Sequence, residues 1–519
     1  MSCCLKLRQK NYCLNSSATI GSNNSRNQHQ NIYIVKIKTL LWVTAYMASC
    51  LSTQAKTGNN IYSANNEASN ISMPLVSSIE AKRVHLRDSI LAHISGAKIA
   101  QKMLLIRKFG AKNDGKTDCR AAFAKAIKKA TAMKGAKIVV PAGTYYIQGP
   151  IVLSDHVCLE LQKGATLKFA PEAKYYPVVN TSWEGTFLYN YSPFIYAWGC
   201  HDVAIVGEGT IDGNATATFA TWRSKQQECK KLSRKMNHEA VPVKERHFGD
   251  GHWLRPQLIQ LYNCKNITIE GVKITNSPFW CIHLLKSENI ICRNLRYDAK
   301  LANNDGIDPE CSRNVLIEGV EFNNGDDNVA IKSGRDNDGW EAEMPSENVI
   351  IRNCRFKGLH GVVIGSEMSA GVRNIIVENC HTAGYCKRGI FIKTNPDRGG
   401  FVENVFVKNC EFDEVEDLFY VTSRYAGEGL GNHHFSTVRN IFVDGVKCNV
   451  AKAAAIVLQG TESKPITNVS IEQIEVKKAK IGLSFENVIG VNMGTCHIGG
   501  KVGTPSQITP KDKLFENEK

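Results

Sequence analysis

Residues 265–272 read Lys-Asn-Ile-Thr-Ile-Glu-Gly-Val, and this unit of asparagine, alternating apolar residues and a turn decides the fold. The unit recurs at intervals through the C-terminal half of the chain. Apolar residues at every second position, in short runs bounded by Gly and Asn, predict strands rather than helices. The repeats begin at Asn266, Asn289, Asn314, Asn348, Asn374, Asn404, Asn440 and Asn468.

The spacing of these asparagines predicts how the strands are arranged. Successive repeats are 23 to 36 residues apart, which is typical of stacked structural repeats. Because the repeats lack helical periodicity, the natural solenoid is a parallel β-helix. Each asparagine is expected in a turn, where it tolerates a left-handed backbone. The unequal spacings indicate insertions at one turn, often on the binding face.

The sixth residue after each asparagine predicts an inward-facing ladder. Five of these eight positions are aliphatic and three are cysteine. We therefore expect these three cysteines, among 18 in the chain, to pack in the core as small hydrophobes. Disulfides between adjacent rungs are the alternative. The ladder runs through Val272, Leu295, Val320, Cys354, Cys380, Cys410, Val446 and Ile474.

Four segments are predicted along the chain. Residues 1–55 form a leader, 56–100 a polar linker, 101–503 the β-helix and 504–519 a polar tail. An amphipathic helix over residues 118–134 is expected to cover the open end of the coils and hide unpaired strand edges. The charged stretch 215–251 lacks the repeat and is interpreted as an inserted loop near one face.

The leader has the layout of a secretory signal peptide. Lys36 and Lys38 precede an apolar run over residues 40–51, with cleavage expected after Ala55. The run is too short for a comfortable membrane span. Residues 47–50 also resemble a bacterial lipobox, which would attach a lipid anchor at Cys50. We therefore expect an exported monomer that is periplasmic, anchored to the outer membrane, or secreted.

The net charge of +15 favours a polyanionic partner. Nucleic acid and an acidic polysaccharide both satisfy the charge, as does a merely solubilising surface. Composition is otherwise ordinary, at 43% hydrophobic and 22% charged residues, which excludes a disordered chain. The sequence contains no Cys/His spacing typical of zinc and no glycine-rich phosphate loop before a helix. No metal and no cofactor are expected.

Three carboxylates and a histidine carry the predicted chemistry. Asp326 and His360 each lie 12 residues after their repeat asparagine, so we expect them on neighbouring rungs, with Asp305 on the preceding one. Crowded carboxylates raise the pKa of at least one of them. A protonated carboxyl beside an ionised one, such as Asp327, suits acid/base hydrolysis. One rung of separation is compatible with the carboxyl distance of inverting glycosidases.

These residues resemble the signatures of the polygalacturonases and related pectin hydrolases of glycoside hydrolase family 28. The family motifs Asn-Thr-Asp, Asp-Asp, Gly-His-Gly and Arg-Ile-Lys correspond here to residues 303–305, 326–327, 359–361 and 391–393. The resemblance extends over most of the chain. It implies a single-stranded right-handed parallel β-helix, like pectin lyase, with an N-terminal capping helix. It also implies an acidic plant cell-wall polysaccharide as partner rather than nucleic acid.

The resemblance also implies roles for individual residues. Asp326 would protonate the leaving oxygen, while Asp305 and Asp327 hold and deprotonate the attacking water. His360 would maintain the protonation and hydrogen bonding of the acid. Lys393 would bind a galacturonate carboxylate. Further substrate-binding candidates are Asn303, Lys332, Arg335 and Arg388.

One departure from the motifs bears on the substrate. Phe391 stands where the family has an arginine that grips a substrate carboxylate, and Phe can only stack on a sugar face. Arg388 is a candidate replacement. A rhamnogalacturonan-type or methylated pectin therefore becomes credible beside plain polygalacturonate. The rival interpretations are a calcium-dependent pectate lyase and a non-catalytic carbohydrate-binding β-helix.

Overall fold

A computed structural model describes residues 69–499 and 501–502. The predicted signal peptide, the lipobox at Cys50, residues 56–68 of the predicted linker and the tail from 504 lie outside the described residues. The described residues from Ser72 onward belong to one compact unit, which holds every coil described below.

Parallel strands stack into the long sheets of a β-helix, which confirms the predicted fold class. The first sheet contains thirteen strands in steadily increasing chain order. They are β1 Met103–Leu105, β3 Ala136–Val140, β6 Val157–Leu161, β11 His201–Gly207, β14 Lys265–Glu270, β17 Glu288–Arg293, β20 Arg313–Glu318, β22 Ser346–Arg352, β24 Val372–Glu378, β26 Phe401–Lys408, β28 Thr437–Asp444, β30 Ile466–Glu472 and β32 Val488–Met493.

A second sheet of thirteen strands runs alongside the first and carries the site described below. It contains β5 Ile151–Val152, β10 Ile195–Trp198, β13 Ile259–Tyr262, β16 Ile282–Leu285, β19 Ile307–Glu310, β21 Asn324–Ile331, β23 Arg355–Ile364, β25 His381–Lys393, β27 Glu411–Thr422, β29 Lys447–Gln459, β31 Ile474–Glu486, β33 Cys496–Ile498 and β34 Lys501–Val502.

A third sheet of six strands completes the early coils. In later coils its column continues into the long strands of the second sheet, because Arg296 pairs with Glu321 and Glu321 with Arg355. The third sheet contains β2 Asp114–Asp118, β4 Gly143–Ile147, β7 Ala165–Phe169, β12 Thr210–Asp212, β15 Lys273–Thr275 and β18 Arg296–Asp298. A separate antiparallel hairpin pairs β8 Val178–Trp183 with β9 Thr186–Tyr191.

The repeat asparagines form one continuous ladder, as predicted. All eight have left-handed backbones, with φ between 57° and 61°. From Asn289 to Asn468, each side-chain amide donates to the amide oxygen of the repeat asparagine one coil earlier, at 2.8–3.4 Å. The ladder satisfies polar groups at the turn and fixes the coils in register.

Aliphatic and cysteine side chains fill the interior of the coils. Every member of the predicted sixth-position ladder is buried. The fourteen cysteines of the described part of the chain are free thiols, and twelve of them are buried. The prediction that Cys354, Cys380 and Cys410 act as small core residues is confirmed.

Two longer helices pack against the coils. The predicted capping helix is α2, Arg120–Ala132, whose apolar face is buried against the first coils. At the start of this helix, the Asp118 carboxylate accepts a hydrogen bond from the backbone N–H of Arg120 at 2.9 Å. The linker interpretation was wrong for residues 69–93, which form α1, Ser69–His93.

Helix α1 is held by tertiary contacts, which explains why the local sequence did not reveal it. Ile79, Leu86 and Ile90 pack on an outward-facing apolar stripe of the first sheet. Arg83 is buried and ion-paired with Glu378 on that sheet. Within the described residues, no helix has both the length and the apolarity to cross a bilayer.

The insertion at 215–251 is helical rather than an irregular loop. It contains α3, Trp222–Lys225, and α4, Gln227–His238. A further short helix, α5, Asp336–Ala342, follows β21 and contacts α4. Short 3-10 turns occupy Ile106–Phe109, Ala173–Tyr175, Phe219–Thr221 and Val243–Glu245.

Candidate active site

Four consecutive strands of the second sheet position the predicted catalytic residues. Asp305 directly precedes β19, Asp326 and Asp327 lie in β21, and His360 lies in β23. Lys393 is the last residue of β25. Since these strands are neighbours in the sheet, residues up to 88 positions apart in the chain meet on one face.

The register differs by one residue from the sequence prediction. The equal offsets from the repeat asparagine predicted that Asp326 would face His360, but Asp327 is its partner. A bulge between Asn324 and Asp327 supplies the extra residue. Asn324 holds this bulge, because its amide donates to the carbonyl of Asp327 at 2.9 Å. Asp326 lines the cavity beside it.

Asp327 is held as a carboxylate between two partners. His360 Nδ1 lies 2.6 Å from one carboxylate oxygen and Lys393 Nζ 3.1 Å from the other. Burial opposes ionisation, yet the Lys393 ammonium and the His360 bond keep the pKa of Asp327 well below its usual range. Burial also lowers the pKa of His360 to about 4. A neutral His360 therefore donates its Nδ1–H to Asp327.

The pKa of Asp326 is shifted in the opposite direction from that of Asp327. Burial and the neighbouring Asp327 charge raise the pKa of Asp326 to about 7. Its carboxylate accepts the backbone N–H of Asp327 at 3.1 Å, and the Asn303 amide approaches it at 3.5 Å. Two adjacent carboxyls thus carry different protonation states near neutral pH, as acid/base chemistry requires.

Asp305 lies in a second carboxyl pair. Burial and the nearby Asp308 raise the pKa of Asp305 well above its usual range. Lys332 Nζ lies 3.7 Å from Asp305 and 3.8 Å from Asp308. The Asp308 side chain is fully buried.

These residues line a cavity of about 790 Å³. Six of the ten predicted site residues line it: Asn303, Asp305, Asp326, Asp327, Lys332 and Lys393. The insertion supplies another wall through Arg223, Lys230 and Arg234. The sequence predicted that the charged insertion would lie near one face of the coils, and it lies at the cavity. The sequence did not predict which of its side chains line the cavity.

Three glutamates on the cavity wall were missed altogether. Glu184, Glu367 and Glu428 come from three separate segments and meet through buried ion pairs. Arg234 contacts Glu184 at 3.1 Å and Glu428 at 3.2 Å. Lys332 contacts Glu367 at 3.3 Å. None of the three belongs to a repeat position, so the sequence offered no signal for them.

Arg335 supports this wall rather than binding a terminal sugar. It is 1% exposed and does not appear in the described lining of the cavity. Its guanidinium pairs with Glu367 at 2.5 Å and with Glu428. The prediction that Arg335 binds substrate is therefore not supported, because its guanidinium is buried against Glu367 and Glu428.

Phe391 and Arg388 also lie beneath the site. Phe391 is 1% exposed and packs edge-to-face on His360 and Tyr425, with ring centroids 5.4 and 6.4 Å apart. Arg388 is equally buried and pairs with Asp417 at 3.2 Å. Neither is among the described residues that line the cavity. The suggested sugar stacking by Phe391 and carboxylate binding by Arg388 are therefore not supported.

The match to a known sequence family agrees with this geometry. Residues 131–496 match the profile described as glycosyl hydrolases family 28. This match spans most of the chain. The chain belongs to glycosyl hydrolase family 28. The described site is therefore that of a glycoside hydrolase, and all three carboxylates of the family signature lie in its cavity.

Individual relatives of this family 28 chain point the same way. It is 29% identical over 408 residues to a probable polygalacturonase of Vitis vinifera, covering 74% of this chain and 77% of the relative. A crystal structure of a hyperthermoactive exopolygalacturonase from Thermotoga maritima is 37% identical, with a TM-score of 0.76. That match covers 80% of this chain and 96% of the other.

A third similarity supports the fold alone. The polygalacturonase structure from Erwinia carotovora has a TM-score of 0.59 at 22% identity, and it covers 78% of this chain.

Proposed function

We propose that this family 28 hydrolase cleaves the glycosidic bonds of pectic polygalacturonate with inversion at the sugar. The observation that carries the proposal is the pairing of a protonated Asp326 with an ionised Asp327 in one cavity. Three lysines in the same lining, Lys230, Lys332 and Lys393, supply positive charge for a uronate substrate.

Asp326 acts as the general acid in this proposal. Its proton passes to the leaving glycosidic oxygen as the bond to the anomeric carbon breaks. Asp327 accepts a proton from water, which attacks that carbon from the opposite face. Asp305 orients this water. His360 acts on the base, through its 2.6 Å bond to Asp327, and not on the acid as the motif resemblance implied.

Lys393 and Lys332 are the proposed carboxylate-binding groups. Each lysine is ion-paired with a buried aspartate, which holds its ammonium group in place. The substrate carboxylate would therefore meet cations whose positions are already fixed. Phe391 is buried and is not among the described residues that line the cavity, so it gives no support for a branched or methylated pectin. Plain polygalacturonate is the substrate we propose.

The calcium-dependent lyase is the less favoured alternative. One ligand atom each from Asp326, Asp327 and His360 lies within 4.8 Å of the other two. However, both carboxylate oxygens of Asp327 already have close partners, one of them the Lys393 ammonium. A divalent cation there would face that ammonium at short range.

We also propose that the enzyme removes units from a chain end. The support is the 37% identity to the exopolygalacturonase structure, together with the helical insertion that walls the cavity. Defined oligogalacturonates and long polygalacturonate test the mode. An exo enzyme releases one short product from the first minutes, whereas a spread of lengths with a rapid viscosity drop contradicts the proposal.

Asp326→Asn tests the hydrolytic role. General acid catalysis contributes about 10²–10⁴-fold, so kcat should fall by that factor with folding preserved. Asp298→Asn, at the half-exposed end of β18 and outside the described cavity lining, is the matched control. Unsaturated ultraviolet-absorbing products would identify a lyase instead. Retention at the anomeric carbon, read by NMR of the first product, would contradict inversion.

We further propose that the chain is exported, on the basis of its predicted signal peptide. Fractionation of cells expressing the full chain gives the compartment. Radiolabelled palmitate incorporated by the wild-type chain and absent from Cys50→Ala would support the lipid anchor, whereas unlabelled wild-type protein cut after Ala55 would support ordinary secretion.

A further inference from the structure

The asparagine ladder changes chemistry in the first coils. In register with Asn266, the preceding coil has Asp202 and the one before that has His156. Both retain the left-handed backbone of the ladder, with φ of 55° and 58°. His201, beside Asp202, starts β11. The neutral amide ladder thus ends in three side chains that are common metal ligands.

Hydrogen bonds to one carboxylate oxygen hold the Asp202 side chain in a fixed orientation. One carboxylate oxygen accepts the backbone N–H of Lys98 at 2.9 Å and the amide of Asn266 at 3.3 Å. The other oxygen, Oδ2, faces the two histidines. His156 Nδ1 lies 3.5 Å from it and His201 Nδ1 lies 3.2 Å from it. The carboxylate itself is 8% exposed, so its aim is fixed by burial as well.

These separations match those between ligands of one metal ion. Zinc bonds of about 2.0–2.2 Å to nitrogen and oxygen put tetrahedral ligands roughly 3.3–3.6 Å apart. One ligand atom from each of the three residues lies within 4.8 Å of the other two. Half-exposed histidine rings give an ion access from solvent.

The second nitrogen of His201 also has a partner. Its Nε2 lies 3.8 Å from the carboxylate of Asp155, which accepts the His201 backbone N–H at 2.8 Å. A carboxylate behind a metal-binding histidine fixes the ring and raises its basicity. Asp155 is therefore placed to orient the His201 ring when a metal ion is bound.

We propose that His156, His201 and Asp202 bind one zinc ion, with water completing a tetrahedron. The ion would join two neighbouring coils and, through Asp202, the segment at Lys98 that follows α1. The described lining of the catalytic cavity contains none of the three residues, so this is a structural site separate from hydrolysis. This site could not be predicted from the sequence, because 45 residues separate the two histidines.

Zinc binding to the full chain tests the proposal. The protein is stripped with EDTA, kept reduced, and titrated with zinc chloride against a chromophoric competitor. We expect one zinc per chain and a higher thermal midpoint. Asp202→Asn is the decisive variant, because it restores the residue of the other rungs and keeps the ladder hydrogen bonds while removing the anionic ligand. Its affinity should fall more than tenfold, and its thermal shift should vanish.

Two further variants separate a built site from incidental binding. Asp155→Asn leaves all three ligands and should weaken binding by about tenfold or more. His497→Ala removes an exposed histidine elsewhere and should change nothing. All variants should keep the wild-type rate of hydrolysis. The proposal is overturned if the wild type takes up no stoichiometric zinc, or if Asp202→Asn binds as tightly, as it would if free thiols held the ion.

Discussion

Asp326→Asn should stabilise the fold at alkaline pH while abolishing activity. The Asp326 carboxyl has a pKa of 3.8 as its ordinary value and about 7 in the folded protein. Between these values the folded state binds a proton that the unfolded state has released, so stability falls as the pH rises. At about 1.4 kcal/mol for each unit of pKa, the ionised carboxylate costs roughly 4 kcal/mol above pH 7.

Asparagine has nearly the same shape and carries no charge. Its side-chain oxygen can still accept the backbone N–H of Asp327, which the carboxylate accepts at 3.1 Å. The variant therefore avoids the cost of burying a second negative charge beside Asp327. Its advantage over the wild type should be a few kcal/mol at pH 8 and should largely disappear at pH 4, where Asp326 is protonated in the folded state and the unfolded-state carboxyl is close to its own pKa.

Guanidinium unfolding of the reduced full chain at the two pH values measures this difference. Asp298→Asn, on the third sheet and about half exposed, serves as the control and should show no such pH dependence. The reasoning fails if Asp326→Asn is no more stable than the wild type at pH 8. It also fails if the gain is equal at pH 4, because that gain would not come from ionisation.

Three other changes test the site and the fold. Lys393→Met removes the cation that holds the pKa of Asp327 down, so the acid limb of the kcat/KM profile should move to higher pH; an unmoved limb would refute the pairing. Arg335→Ala leaves buried carboxylates unpaired and should cost about 3–5 kcal/mol in unfolding free energy, against about 1 kcal/mol or less for exposed Arg313→Ala. Asn348→Ala and Asn348→Gly both break two ladder hydrogen bonds, but only alanine is strained by the left-handed backbone. Asn348→Ala should therefore lower the free energy of unfolding by about 1–2 kcal/mol more than Asn348→Gly. Equal losses would show that backbone strain is irrelevant at this position.

The stack of coils could be predicted because each coil depends on residue types at fixed positions in the local sequence. Each turn needs a residue that accepts a left-handed backbone, and each interior position needs an apolar side chain, so asparagine and aliphatic residues recur together. The same argument placed Cys354, Cys380 and Cys410 in the core. Helix α1 could not be predicted in this way, because its stability comes from packing on the first sheet rather than from the pattern of its own sequence.

The catalytic carboxylates were also identified from sequence, but their partners were not. An equal offset from the repeat asparagine assumes an unbroken register, and one bulge between Asn324 and Asp327 shifts it by a residue. That shift gives His360 to Asp327 instead of Asp326. It separates the two protonation states, because one carboxyl gains cationic and donor partners while its neighbour is left with a raised pKa.

The sequence by itself thus determined the fold class, which follows from residue types at repeating positions, and it predicted the carboxylates of the proposed mechanism. The tertiary structure alone decided which side chains reach the cavity. Phe391 lies under His360 and Tyr425, and Arg335 lies behind Glu367, because loops from distant segments cover them. Burial, charge pairing and register depend on contacts between coils, and no local pattern encodes those contacts.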